Sequence, residues 1–367
     1  MTHSFLAPSA AHVWVHCALY PTLAVVYPDQ SDKDASEKGT AAHWVGVELH
    51  EGRPVAIGDK APNGREIDAD ILETGEFFAS SLRDQDNFPW TLEKRIVNDA
   101  IIAESNGGTP DAQKFAGHTL DITDWKGGHE WIDVYECWQL INYFALIWHA
   151  FKDRHDARQV KVRFRIVQPN AYGRGGPVRT WEISAAELAP YVEKLREAAK
   201  RALAKDVTAT PGAHCKHCPG RHSCEALHRE AMHIGTRARM PGRTDQVPLR
   251  VQARELAFAE ESAAILDAFI TGRRQEIATA IEQGTSVPGY ALEHGEGREG
   301  WTRSFEEVKA VGDMLGVKVE KPALITPKQA RKAGLPESIV TGMSARPRGE
   351  AQLVRFHTER MASMFGK

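Results

Sequence analysis

The chain has 367 residues, 42% of them apolar and 26% charged, with a formal net charge of −3, which excludes a disordered or fibrous protein and leaves room for two domains or one domain with a large appendage. No run approaches the roughly eighteen consecutive apolar residues of a membrane span, and the N-terminus lacks the basic region, apolar run and cleavage site of a secretory leader. A cytoplasmic protein without a membrane partner is expected, and in that compartment Cys17, Cys137, Cys215, Cys218 and Cys224 read as ligands or core residues rather than as disulfides.

Residues 9–18 (SAAHVWVHCA) suit a short helix with Ser9 as cap and Val13 and Cys17 one turn apart. The polar stretch 28–38 reads as a loop, after which Gly39-Thr40 opens a helix carrying His43, Val47 and His50 on one face. Residues 51–90, rich in Gly, Pro and Asp, read as a long surface excursion. From residue 95, RIVNDAIIAE, DAQKFA and HTLDITDW are short β-like runs separated by glycine-containing turns. WIDVYECWQLINYFALIWHAF, without Gly or Pro, predicts a buried helix. VKVRFRIV alternates apolar with basic residues as a half-buried strand does, and Pro169 stops it. TWEIS is a further strand, and residues 184–205 a helix.

The cysteine-rich segment PGAHCKHCPGRHSCEALH comes next. Beyond it, the pattern predicts a linker over 231–248, a strongly helical stretch from 249, a strand or hairpin in PGYALEHGEGREGW, and a Pro-rich, mostly helical tail without a recognisable catalytic motif. The fold expected is mixed α/β of the α+β kind: a domain over 1–230, the linker, and a C-terminal region over 249–367. Charge is unevenly spread. Residues 1–100 hold 8 Lys/Arg against 16 Asp/Glu, whereas residues 201–250 hold 9 against 4. The late basic stretch is a candidate phosphate-contacting surface, although solvated charged faces give the same pattern.

The chemistry concentrates in GGTPDAQKFAGHTLDITDWKGG. Asp111 opens one predicted strand, and Asp124 and Lys126 end the next. Residues two apart in a strand leave the same face, so one face presents carboxylate and ammonium together. Such a set suits metal-assisted phosphodiester hydrolysis: hard oxygens hold Mg²⁺ or Mn²⁺, and a lysine orients water or neutralises developing charge. Singly, each residue has an ordinary explanation: a solvated strand end for the D-x-K triplet, a turn after Pro110 for Asp111, packing for His43 and Tyr143. The order of the neighbours adds weight, because Gln139 and Tyr143 stand four apart on the apolar helix.

Taken in order, His43 in GTAAH, Asp111 in GTPD, Asp124 and Lys126 in DWK, and Gln139 with Tyr143 in QLINY resemble the signature of the RecB-family PD-(D/E)XK nucleases, including the CRISPR-associated RecB-like exonucleases. The resemblance implies a restriction-endonuclease-like core, a mixed sheet flanked by helices. It implies His43, Asp111, Asp124 and the Trp125 carbonyl as ligands to Mg²⁺ or Mn²⁺, Lys126 as the catalytic lysine, and Gln139 and Tyr143 as supports of the site or contacts to the nucleic-acid backbone. The whole chain is also similar to a phage and prophage family known as domain of unknown function 2800, through SAAHVWVHC, GTPD…DWKGG, the IVQP strand and the PGYALEHG…ITPKQA tail. That similarity implies a DNA exonuclease of phage recombination or replication, acting in a bacterial host beside a single-strand annealing protein. Two departures stand out: Gly127-Gly128 follow Lys126 at once, where relatives insert a residue and carry a second lysine, and Asp124 is shorter than the glutamate many relatives use.

Cys215, Cys218 and Cys224 form C-x2-C-x5-C, three thiolates where zinc or an iron–sulfur cluster needs four ligands. His214, His217, His222 and His228 are local candidates for the fourth, and Cys17 the distant one. The RecB-like exonucleases with clusters place one cysteine before the core and three after it, which implies a [4Fe–4S] cluster on Cys17, Cys215, Cys218 and Cys224, with Zn²⁺ as the other occupant. Cys137 reads as a small core residue. Two further readings stay open: a non-catalytic DNA-binding or scaffold protein with the same fold and cluster, and a zinc-knuckle regulator in which D-x-K is coincidental.

Overall fold

The structure, a computed structural model, describes residues 4–27, 33–83, 88–102, 105–171, 176–237, 249–296, 300–321, 323–324, 327–345 and 348–355. The chain divides into two units, Met1–Ile270 and Thr271–Lys367.

In the first unit, helices α1 (Ala11–Trp14), α2 (Tyr20–Val26), α3 (Lys33–His50) and α4 (Ala69–Ser81) precede the strands. There follow β1 (Thr91–Leu92), β2 (Ile96–Val97), β3 (Gly107–Gly108), β4 (Ala112–Ala116) and β5 (Thr119–Trp125), then α5 (Trp138–Trp148), β6 (Lys161–Val167), β7 (Val178–Ser184), α6 (Ala189–Ala202), α7 (Glu225–Arg237) and α8 (Leu249–Glu282). Five strands form one mixed sheet in the order β1-β4-β5-β6-β7. All neighbours are antiparallel except β5 and β6, which run parallel from Thr119↔Lys161 to Trp125↔Val167. A parallel pair needs a long crossover, and α5 supplies it.

Alternation along β5 sends Leu120 and Ile122 into a core with Trp14, Leu140, Phe144, Phe164 and Leu195, contributed by α1, α5, β6 and α6. The opposite face carries Ala112, Trp125 and Val167 against Ala41, Ala42 and Val45 of α3 and Phe78 of α4. Full burial of each large side chain is worth about 1.5–3 kcal/mol. The α3–α4 crossing is close because Gly75 has no side chain where a Cβ would overlap Val45. The fold is thus α+β, a mixed sheet flanked by helices.

Several local expectations change. The stretch 51–90 is not all surface excursion, for α4 lies within it, capped by Asp68, which accepts from the Ile71 N–H at 2.8 Å, and burying Ile71, Thr74, Gly75, Phe78 and Ala79 at helical spacing. Helix α3 begins at Lys33, inside the expected loop, and the Asp34–Lys38 pair one turn apart at 3.0 Å supports that early start. Of RIVNDAIIAE only Ile96–Val97 is strand, while Ala100 and Ile101 enter the core from irregular chain. Helix α5 covers only Trp138–Trp148 of its apolar run; Glu136, at φ 51, turns the chain just before it. Of the expected linker, residues 231–237 are the end of α7, and 238–248 lie outside the described residues.

The second unit takes up the end of α8 and pairs β8 (Tyr290–Glu296) with β13 (Arg348–Arg355), from Tyr290↔Arg355 to Glu296↔Arg348, with the two-residue strands β9 (Gly300–Trp301), β10 (Glu320–Lys321), β11 (Ala323–Leu324) and β12 (Ser344–Ala345) between them in sequence. Between them, helix α9 (Phe305–Met314) opens on a capping box of Ser304 and Glu307. Val308, Val319, Ala330, Leu335 and Val340 form a small core, with α10 (Pro327–Lys332) and α11 (Glu337–Met343) around it.

Candidate metal centre

Four elements meet at the carboxyl end of β5. Helix α3 brings His43, β5 ends in Asp124 and Trp125 with Lys126 next, and α5 presents Gln139 and Tyr143 one turn apart. Asp111 stands one residue before β4. Its neighbour across the sheet was not singled out by sequence reasoning: the β1–β4 register pairs Leu92 with Ala112, and the Glu93 N–H donates to the Asp111 carbonyl at 3.1 Å.

His43, Glu93 and Asp111 offer ligand atoms that all lie within 4.8 Å of one another, the single such trio of His, Cys, Asp or Glu among the described residues. His43 Nδ1 is 3.3 Å from Glu93 Oε1 and 3.4 Å from Asp111 Oδ1, while Nε2 is 3.0 Å from the Trp125 carbonyl. The ring is held edge-on to Phe78 and Trp125, which stack on each other at 5.1 Å. Asp111 Oδ2 accepts from the Trp125 N–H at 2.5 Å, tying the start of β4 to the end of β5.

Asp124 belongs to a second, adjoining group. Its Oδ1 accepts from Gln139 Nε2 at 2.7 Å, and its Oδ2 lies 2.8 Å from the Lys126 ammonium. Lys126 donates to Gln139 Oε1 at 3.0 Å, and Gln139 Nε2 also reaches the Tyr143 hydroxyl at 3.2 Å. Asp124 and Lys126 therefore do leave the same face, and one carboxamide bridges them. Apart from the ion pair, Asp124 Oδ2 has no hydrogen-bond partner among the described residues, although it is buried.

The electrostatics follow from burial and crowding. Burial works against a charged His43, but Asp111 and Glu93 outweigh it and hold the imidazolium up to about 10. Burial pushes Asp124 up, with Lys126 opposing and Asp111 adding to the rise, and burial likewise raises Glu93. Lys126 is raised because Asp124 and Asp111 overcome its own desolvation. The cluster opens to a cleft of about 750 Å³, lined also by Thr40, Trp44, Asn63 and Arg95.

The cysteines gather elsewhere in this unit. Cys17, Cys215, Cys218 and Cys224 line one enclosed cavity with Val13, Leu23 and Leu227. Burial pushes the Cys215 thiol up to about 11 and the Cys218 thiol up to about 12, with Cys17 and Cys224 adding to each. Of the candidate histidines only His214 lines the cavity, and its Nε2 meets the Thr210 carbonyl at 2.9 Å. Cys137 lies apart, at the cap of α5 and against the main core.

Residues 3–361 match the family described as protein of unknown function (DUF2800). The chain belongs to that family. The match spans both units, so the carboxylate cluster, the thiol cavity and strand β13 all lie within the extent of DUF2800.

For this DUF2800 protein, sequence reasoning singled out His43, Asp111, Asp124, Trp125, Lys126, Gln139 and Tyr143, and the fold brings all seven together. The one omission was Glu93. TLEK carries no local signal for it, because Glu93 follows a strand of only two residues, Thr91–Leu92. Chemically, the site offers two carboxylates, an imidazole and a main-chain carbonyl as hard oxygen and nitrogen donors, with Asp124 presenting an open lone pair beside an ammonium.

Proposed function

We propose that this protein is a divalent-metal-dependent deoxyribonuclease of the RecB-like PD-(D/E)XK kind, hydrolysing phosphodiester bonds as an exonuclease at DNA ends. The observation that carries the reading is the convergence of His43, Asp111, Asp124 and Lys126 with the Trp125 carbonyl on one cleft. The residues fit Mg²⁺ or Mn²⁺: burial, with Asp111 adding to it, raises both Glu93 and Asp124, and the buried Asp124 Oδ2 has only the Lys126 ammonium as a partner among the described residues. His43, Glu93, Asp111, Asp124 and the Trp125 carbonyl would hold the ion.

The ion, when bound, supplies polarisation of a phosphate oxygen and acidification of water. Lys126 sits where it can orient the attacking water and neutralise charge growing on the phosphate. Gln139 fixes Asp124 and Lys126 relative to each other through one carboxamide, and Tyr143 fixes Gln139 in turn. The Phe78–Trp125 stack holds the His43 ring upright and keeps water from its flank. The same reading assigns Cys17, Cys215, Cys218 and Cys224 to a [4Fe–4S] cluster that staples the N-terminal helices to the segment after α6. All four cysteines line one cavity, which favours four cysteines over a Cys3His zinc site. We place the activity in the cytoplasm of a bacterial host, in phage recombination or replication beside a single-strand annealing protein.

The test uses end-labelled single- and double-stranded DNA with Mn²⁺ and three proteins: wild type, Lys126→Ala and Asp124→Ala. Wild type degrades linear strands and spares circular ones, and each variant loses about 10²-fold or more of the rate. Equal cleavage by all three would sink the site, as would no cleavage by wild type; binding without cleavage would be the scaffold reading.

A further inference from the structure

Beside the metal cleft runs a second depression of about 530 Å³, and Arg95 lines both. Its floor is the end of α5, with Leu146 and Ile147, and Phe115 of β4; its walls include Phe88, Lys94, Val97 and Gln113. Phe115 and Phe151 meet edge to face at 4.8 Å, and the Arg154 guanidinium lies 5.7 Å from the Phe151 ring centre. Phe88 is 51% exposed and Val97 56% exposed, so the groove offers apolar surface next to a charged cleft. Among the described residues that line it, none is acidic, while Lys94 and Arg95 stand exposed and Arg95 is shared with the cleft. Glu93, of the metal trio, is the residue immediately before them.

We infer that this groove is the track of single-stranded DNA, holding nucleotides next to the scissile phosphate with bases on the Phe115 and Val97 surface and phosphates on Lys94 and Arg95. Cationic residues at one rim and rings or aliphatic surface at the other are what an unpaired strand meets, and duplex DNA, whose base faces are stacked away, has nothing to give the apolar floor. Continuity through Arg95 selects nucleic acid over a protein segment, because an occupant of the groove adjoins the place where a phosphate must sit. Gln113, half-buried on β4, adds a carboxamide at the wall that suits a base edge. The inference rests on the nuclease reading for the meaning of the cleft, and its test is separable from that reading.

Binding of a labelled oligothymidylate of about a dozen residues is measured by fluorescence anisotropy on the full-length protein with Ca²⁺ in place of Mn²⁺, beside Lys94→Ala, Val97→Asp and, as a distant control, Lys194→Ala. Val97→Asp is expected to weaken binding about tenfold or more, with Lys194→Ala within about twofold of wild type. Lys94→Ala, at an exposed position that folding tolerates, makes the dependence of log K on log salt shallower by about 0.7, the signature of one lost phosphate contact. Unchanged affinity and salt slope in both groove variants overturns the inference, whether the groove then holds a protein segment or nothing. A wild type that cleaves DNA with those variants unchanged defeats the groove alone. A wild type that never cleaves, but whose binding the variants weaken, keeps the groove and defeats the nuclease reading.

Discussion

The carboxylate cluster and the thiol cavity both gather several potential ligands, but they differ in how the metal-free chain balances their charge. At the end of β5 the protein carries its own cations: the His43 imidazolium between Glu93, Asp111 and the Trp125 carbonyl, and the Lys126 ammonium against Asp124. Around the cysteines, burial holds Cys215 and Cys218 as neutral thiols, so protons are the balance. The first arrangement pairs its charges within the chain. On the proposed reading, the second would gain its cohesion from thiolates binding a metal, which would couple occupancy to folding.

That contrast makes the cysteine site the place of largest expected loss. If the proposed cluster is bound, Cys215→Ser should abolish visible absorption and stoichiometric iron and sulfide, and lower stability by several kcal/mol, because the group would close the long loop from Cys17 to Cys215. Anaerobically purified wild type that is colourless and carries stoichiometric zinc would replace the cluster with zinc and leave the staple intact. A Cys215→Ser protein as stable as wild type would remove the contrast altogether.

At the carboxylate site the prediction concerns a pair rather than a residue. Lys126→Met strips the ammonium from Asp124, which is 1% exposed, and should cost about 2–4 kcal/mol in the metal-free protein. Asp124→Asn removes the charge that needed it, so the double variant should recover most of that loss in urea denaturation. Additive losses would mean that Lys126 acts through packing of its aliphatic stem and not as a counter-ion.

Much of this was legible in the sequence for physical reasons that also mark where reading stopped. Strand β5 and helix α5 announce themselves because their burial repeats locally, at two residues and at one helical turn, and Asp124, Lys126, Gln139 and Tyr143 ride on that periodicity. Helix α4 was hidden because Gly, Pro and Asp flank a single amphipathic stretch of thirteen residues. Glu93 was hidden for a deeper reason: β1 is two residues long, and only its pairing with β4, some twenty residues on, carries Glu93 to Asp111. Non-local register leaves no mark in a window of sequence. Cys17 was linked to the C-x2-C-x5-C segment by family resemblance alone, and the shared cavity now gives that link a geometric footing.

A smaller effect separates the two sites by pH. His43 holds its proton up to about 10, so an ion using its nitrogen must displace that proton. Mg²⁺ affinity measured calorimetrically between about pH 7 and about pH 8.5 should rise up to tenfold per unit, about 1.4 kcal/mol, and His43→Asn should flatten the slope. In the metal-free protein the sign reverses: with a folded pKa above the unfolded one, the imidazolium contributes its full stability below about pH 6.5 and loses it as pH rises through about 10. A slope that survives His43→Asn would assign the displaced proton to another group and leave His43 outside the coordination sphere.

The smallest effect isolates Glu93, whose backbone is left-handed at φ 45 while its carboxylate crowds Asp111. A non-glycine residue there is strained by about 1 kcal/mol. Glu93→Gln keeps the strain and removes the charge; Glu93→Gly removes both. The difference in stability between these two variants should therefore be about 1 kcal/mol in favour of glycine, while both lose metal affinity, about tenfold, because both lose the carboxylate charge. If Glu93→Gln binds metal as tightly as wild type, the carboxylate is only a counter-ion for His43, and the ion is held by Asp111, Asp124 and the Trp125 carbonyl. If both variants bind equally weakly but glycine brings no stability, the turn at Glu93 is relaxed by its hydrogen bond to Asp111 and not held in place against strain.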